Sequence, residues 1–174
     1  MLSKWVYILI GNDLTGKTTF QKELLTELCG KPFKDRLACN IVWDIDAKFN
    51  SRLKNIFLIN RSLQEKDFND KVADYFTTSF HDADICILSS HLKKQDIEDA
   101  ISECHKRYYN VGGVFWENSI YNDPVTNKEI ASLNWDERFV LPNTFQTESD
   151  LWQKQISGLA KEFCTLLLER AKFQ

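Results

Sequence analysis

Between an apolar run at residues 4–10 and an amphipathic run from Thr18 stand Gly11-Asn12-Asp13-Leu14-Thr15-Gly16-Lys17-Thr18, spaced as G-x-x-x-x-G-K-[ST]. This spacing constrains the fold more than any other feature of the chain. Glycines let a backbone close tightly around an anion. The loop amides and the positive end of the following helix dipole then converge on it. A lysine at position 17 reaches β- and γ-phosphates, and the hydroxyl of Thr18 is placed for Mg²⁺. The phosphate-binding set is therefore Gly11, Asn12, Asp13, Leu14, Thr15, Gly16, Lys17, Thr18 and Thr19, with Lys17 also catalytic. The flanks suit this chemistry. Lys-Trp-Val-Tyr-Ile-Leu-Ile reads as a strand buried on both faces. Phe20, Leu24, Leu25 and Leu28 recur at helical spacing.

Strands and helices alternate through the rest of the chain. Gly30-Lys31-Pro32 stops the first helix. Residues 38–43 read as a second strand, ending in Asp44-Ile45-Asp46. Residues 47–60 are ambiguous: Phe49, Leu53, Ile56 and Phe57 fit a helix face, whereas residues 56–59 fit a short strand. Ser62-Leu63-Gln64-Glu65 has the capping-box pattern and opens a helix with Phe68, Val72, Tyr75, Phe76 and Phe80 inward. Residues 84–90 read as a strand, Ile97, Ile101, Cys104 and Tyr108 as a helix stripe, and residues 111–116 and 138–141 as strands. A long helix follows from Thr147-Glu148-Ser149-Asp150. Residues 118–136 are polar and carry no clear period. The alternation predicts one α/β domain over residues 1–174. It is a three-layer sandwich with a mainly parallel sheet of about five strands and right-handed crossovers. Ligands of such sheets lie at the carboxyl ends of the strands.

The loop and its setting resemble the P-loop nucleoside triphosphatase superfamily, specifically over the first 30 residues. Asp44 and Asp46 resemble the Asp-x-Asp-like element that small-molecule and polynucleotide kinases carry after their second strand. That resemblance implies that one of them orients an acceptor hydroxyl and takes its proton. The alternative is a solvated turn in which Asp46 caps a helix. The segment from Ile87 through Ser89, Ser90, His91, Lys93 and Lys94 is similar, loosely, to gluconate and adenylylsulfate kinases, which implies a substrate contact at His91. Arg61 suits bidentate grip on a phosphate or carboxylate. Kinases of this group bring arginines over the triphosphate from a lid before the last strand. Residues 117–137 hold only Lys128 as a cation, which leaves Arg138, Arg107 or a partner as the source. The implied activity is transfer of the γ-phosphoryl of ATP, with Mg²⁺, to a small-molecule or nucleotide acceptor.

Composition narrows the partners. The net charge of −3, without a lysine- or arginine-dense block, does not predict binding to duplex nucleic acid. Five cysteines without a C-x-x-C pair predict a reducing, cytoplasmic setting, with Cys86 and Cys104 as buried apolar groups. No apolar run is long enough to span a bilayer, and the chain enters its first strand too early for a cleaved signal. A homodimer is compatible with these features. Two other readings stand beside the kinase. A GTPase-type switch needs an Asn-Lys-x-Asp base reader, and Asn127-Lys128-Glu129-Ile130 lacks its aspartate. A non-catalytic nucleotide-binding module accounts for the missing lid arginines and for the lack of an acid at the end of strand 84–90.

Overall fold

The computed structural model describes residues 3–32, 37, 40–65, 71–144 and 148–173. Trp5–Ile10 forms strand β1 and Lys17–Cys29 helix α1. Ile41–Asp44 is β2, Asn55–Ser62 is β3, and a 3-10 turn at Ala47–Phe49 lies between them. Val72–Thr78 (α2), Ile85–Ser90 (β4), Lys94–Lys106 (α3) and Asn110–Trp116 (β5) follow. Glu117–Asn122 (α4), Pro124–Ala131 (α5), Glu137–Leu141 (β6) and Ser149–Arg170 (α6) complete the order.

The fold is α/β around a mainly parallel sheet of six strands in the order β2-β3-β4-β1-β5-β6. Every pairing except β2 with β3 is parallel. The sheet thus has one strand more than the alternation predicts. The ambiguous stretch supplies it as β3, and β2 runs backwards as an antiparallel edge. The reason lies in the connection. Residues 45–54 contain only the 3-10 turn, and the Ile45 N–H meets the Lys54 carbonyl at 2.8 Å, closing a hairpin. A parallel partner needs a longer crossover, usually a helix.

Residues Val6 to Ile10 at the sheet's centre are fully buried, because helices cover both faces. Tyr7, Leu9, Leu58, Ile87 and Trp116 pack toward α1 and α6. Val6, Ile8, Ile10, Leu88 and Phe115 pack toward α2, α3 and α5. Cys86 and Cys104 are buried in that second core, with burial pushing the Cys86 thiol up to about 12. At the amino edge of the sheet Arg170 ends α6 in a clamp. Its guanidinium pairs with Glu137, with Nη2 at 2.6 Å from Oε2, donates to the Tyr7 hydroxyl at 2.7 Å, and lies 4.6 Å from the Trp5 ring. Among the described residues, no helix is long and apolar enough to cross a membrane.

Candidate phosphate-binding site

The loop between β1 and α1 leaves the sheet at its most buried point. The Gly11 N–H donates to the Ser90 carbonyl at 3.0 Å, so the loop starts pinned to β4. A side chain on Gly11 would collide with Thr15, whose hydroxyl donates to the Asn12 carbonyl at 2.9 Å. Gly16 caps α1 with φ 99°, a conformation that favours glycine. No side chain caps this helix end, and its first turn holds no acid. Among the described residues, the amides of Asp13 through Thr19 donate to no acceptor, whereas that of Phe20 already bonds the Gly16 carbonyl at 2.9 Å. The result is a run of unsatisfied N–H groups at a helix amino end, the arrangement that attracts an anion.

Lys17 is buried in this loop. Its ammonium donates to the carbonyls of Gly11 and Asn12, the latter at 2.8 Å. Burial pulls its pKa down to about 8, against the opposing pull of the Asp13 and Glu65 carboxylates. A cavity of about 250 Å³ opens beside it, bounded by residues 13–19 and by Ser62, Glu65, Ser89 and Trp152. Thr18 is exposed on this cavity, and among the described residues its hydroxyl has no protein partner. A single hydroxyl beside a phosphate-sized cavity fits Mg²⁺, which keeps phosphate and water as most of its ligands. No group of three His, Cys, Asp or Glu side chains suited to a metal occurs among the described residues.

The ends of β3 and β4 form the neighbouring wall. Gln21 of α1 is wholly buried and donates to the Ile59 carbonyl at 2.8 Å and the Ser89 hydroxyl at 3.1 Å. Gln64 bridges the Ser90 hydroxyl and the His91 N–H, each at 2.9 Å. The next amide, that of Leu92, meets the Asn12 side-chain oxygen at 3.3 Å, which sets His91 beside the loop. Glu65 accepts the Ser62 N–H at 3.1 Å, but Ser62 ends β3 and residues 63–65 form a turn, so the capping-box pattern opens no helix there and, among the described residues, α2 begins at Val72. The other Glu65 oxygen lies 3.9 Å from Arg61 Nε. Arg61 and His91 thus stand at the same edge of the sheet as Lys17. Phe68 and Thr147 fall outside the described residues.

Asp44, Asp46 and Arg138 do not join this site. Because β2 runs antiparallel, Asp44 pairs with Asn55 at the start of β3, at the opposite edge of the sheet. The length of a six-residue strand, about 20 Å, separates it from the loop. Asp46 lies at the far end of α1. Its N–H meets the Leu28 carbonyl at 2.8 Å and its carboxylate caps the 3-10 turn through the Lys48 N–H at 2.9 Å. The capping alternative describes it. Arg138 donates to the Ala131 carbonyl at 2.7 Å, closing the end of α5. Arg107 pairs with Glu103 at 2.5 Å near the amino ends of the strands. Asn127 is buried in α5 and bonds the Ser119 and Asp123 carbonyls, so it reads no base.

On the other side of the loop a second cavity, of about 450 Å³, opens between the start of α4 and the end of β6. Tyr121, Asn118 and Thr144 line it, with Asn143 at its base. Asn143 is fully buried and its amide donates to the Thr15 carbonyl at 3.1 Å, joining this cavity to the loop. Sequence reasoning did not single out Glu65, Trp152, Tyr121 or Asn143 for the site. The rule that ligands meet residues just after strands points to Asn143 and Glu65; nothing in the local pattern points to Trp152. Comparison with protein-family models, with curated proteins and with solved structures gave no match to this chain.

Proposed function

We propose that the chain is an ATP-dependent phosphotransferase of the P-loop nucleoside triphosphatase superfamily. The observation that carries this reading is the loop from Asp13 to Thr19. Its amides are unpartnered, the end of its helix is uncapped, and Lys17 stands at the wall of a phosphate-sized cavity. On binding, the Lys17 ammonium exchanges the Gly11 and Asn12 carbonyls for β- and γ-phosphate oxygens. Thr18 would hold Mg²⁺, which would neutralise charge on the transferring group. The base lies in the cavity beside Tyr121, one strand over from the loop. Positioning and fixed dipoles supply the rate, because phosphoryl transfer asks little covalent chemistry of the protein.

A transfer assay with γ-labelled ATP over sugars, nucleosides, nucleotides and 5′-hydroxyl oligonucleotides tests this, with Lys17→Ala as the blank. Label transfer that the blank lacks supports the reading. Tighter equilibrium binding of GTP than of ATP overturns the choice of nucleotide. One observation favours a second reading, a nucleotide-binding module without transfer: Arg107 and Arg138 are both engaged elsewhere, so neither reaches the loop. ATP binding with no transfer to any acceptor of the set selects it.

A further inference from the structure

The carboxyl edge of the sheet sets the direction in which a nucleotide lies. The cavity at Tyr121 follows β5 and β6, the phosphate loop follows β1, and Glu65 follows β3. In the strand order β3-β4-β1-β5-β6, the loop stands between the other two. A base at Tyr121 with its phosphates on the loop therefore directs the terminal phosphate toward β4 and β3. Neighbouring strands are about 4.8 Å apart, so the end of β3 lies about 10 Å from the end of β1. That distance spans a terminal phosphate and an attacking atom.

Glu65 borders this end of the cavity together with Ser62 and Ser89. One of its oxygens is anchored by the Ser62 N–H at 3.1 Å, which fixes the carboxylate while leaving the second oxygen near Arg61. Among the described residues, the charged groups around it are Arg61 in β3, Lys17 from α1 and Asp13 across the cavity. A carboxylate at this wall accepts the proton of a hydroxyl, which an ionised phosphate or carboxylate acceptor does not carry.

Resting on the phosphotransferase reading, we propose that Glu65 is the catalytic base and that the acceptor is an alcohol rather than a phosphate or carboxylate. The acceptor oxygen attacks the γ-phosphorus while Glu65 takes its proton. The bond from the γ-phosphorus to the β–γ bridging oxygen breaks, and ADP leaves with the electron pair. The proton then passes from Glu65 to water.

Glu65→Gln tests the assignment, because its amide oxygen still accepts the Ser62 N–H. The probes are γ-labelled ATP with nucleosides, 5′-hydroxyl oligonucleotides and sugar alcohols as one set and nucleoside monophosphates as the other. The expected result is transfer to a hydroxyl of the first set and to no phosphate of the second. Glu65→Gln should lower kcat by about 10²–10⁴-fold, with ATP affinity within about twofold of the parent and the KM for the acceptor unchanged. Titration calorimetry reports ATP binding in both proteins, and thermal melting reports their folding. Transfer by Glu65→Gln within about threefold of the parent overturns the role of Glu65. Transfer to a monophosphate overturns the alcohol assignment. ATP binding without transfer to any hydroxyl overturns both and leaves the phosphate site standing, whereas failure of the parent to bind ATP removes the phosphotransferase reading itself.

Discussion

The side-chain amide of Asn143 donates to the main-chain carbonyl of Thr15 at 3.1 Å, joining positions 128 residues apart. The oxygen of the same amide accepts the Asn118 N–H at 3.1 Å. One buried side chain thus ties together the phosphate loop, the start of α4 and the end of β6. Asn143→Ala leaves two backbone groups without their partner at a buried position. The expected loss is about 2 kcal/mol of stability in chemical denaturation, with ATP affinity reduced at least about tenfold by calorimetry.

Under the proposed function, Lys17 gives ATP binding a pH dependence. Burial brings its pKa from 10.5 to about 8 in the ligand-free protein, while polyphosphate favours the ammonium. Above that pH the empty site holds the neutral amine, so binding takes up a proton. Affinity is expected to fall above about pH 8, by up to about tenfold per unit, with about one proton taken up at pH 9. Titration calorimetry in two buffers of different ionisation enthalpy measures it. The stability of the empty protein carries the opposite slope. Between pH 8 and 10.5 the unfolded chain holds a proton that folded Lys17 has released, so this group's contribution rises with pH across that window.

Gly16→Ala should break the loop from two directions. The new Cβ would stand 3.0 Å from Ile156 Cδ1 and 3.2 Å from Trp152 Cζ2, at a φ of 99° that side chains rarely adopt. The expected cost is about 2 kcal/mol, or about 4–8 °C in Tm, together with loss of ATP binding by calorimetry. Gly158→Ala is the matched control, since nothing lies within 4 Å of a Cβ added there.

The strands that alternate with helices were legible because burial on both faces leaves an apolar run bounded by turns. Residues 5–10, 85–90 and 110–116 show it. The direction of β2 was not legible. Hydrophobic pattern reports which residues are buried, and strand direction depends on the connection that follows. The placement of Asp44 and Asp46 beside the loop failed for that reason alone: Asp44 ends β2 and Asp46 follows it, and that strand points away from the site. The proposed loop residues are contiguous, so spacing alone could nominate them. Glu65, Asn143 and Trp152 arrive from three other elements, and only strand order and helix packing bring them together.

The far edge of the sheet separates stability from chemistry. Asp44→Asn should leave ATP binding and transfer unchanged, because Asp44 is exposed about 20 Å from the loop. Arg170→Ala should also leave ATP affinity unchanged while leaving Glu137 and the Tyr7 hydroxyl without their partner. A loss of about 2 kcal/mol is expected in urea unfolding. Altered ATP affinity in either variant would show that the two edges are coupled.

Helix α6 closes over the first turn of α1. Ser157 and Gln153 hold Glu23 at 3.1 and 3.0 Å, and Trp152 and Ile156 press on Gly16. Synthesis therefore delivers residues 11–18 well before α6, the helix whose residues 152–157 support them. A chain cut before α6 keeps the complete motif and loses the side chains that pack on Gly16.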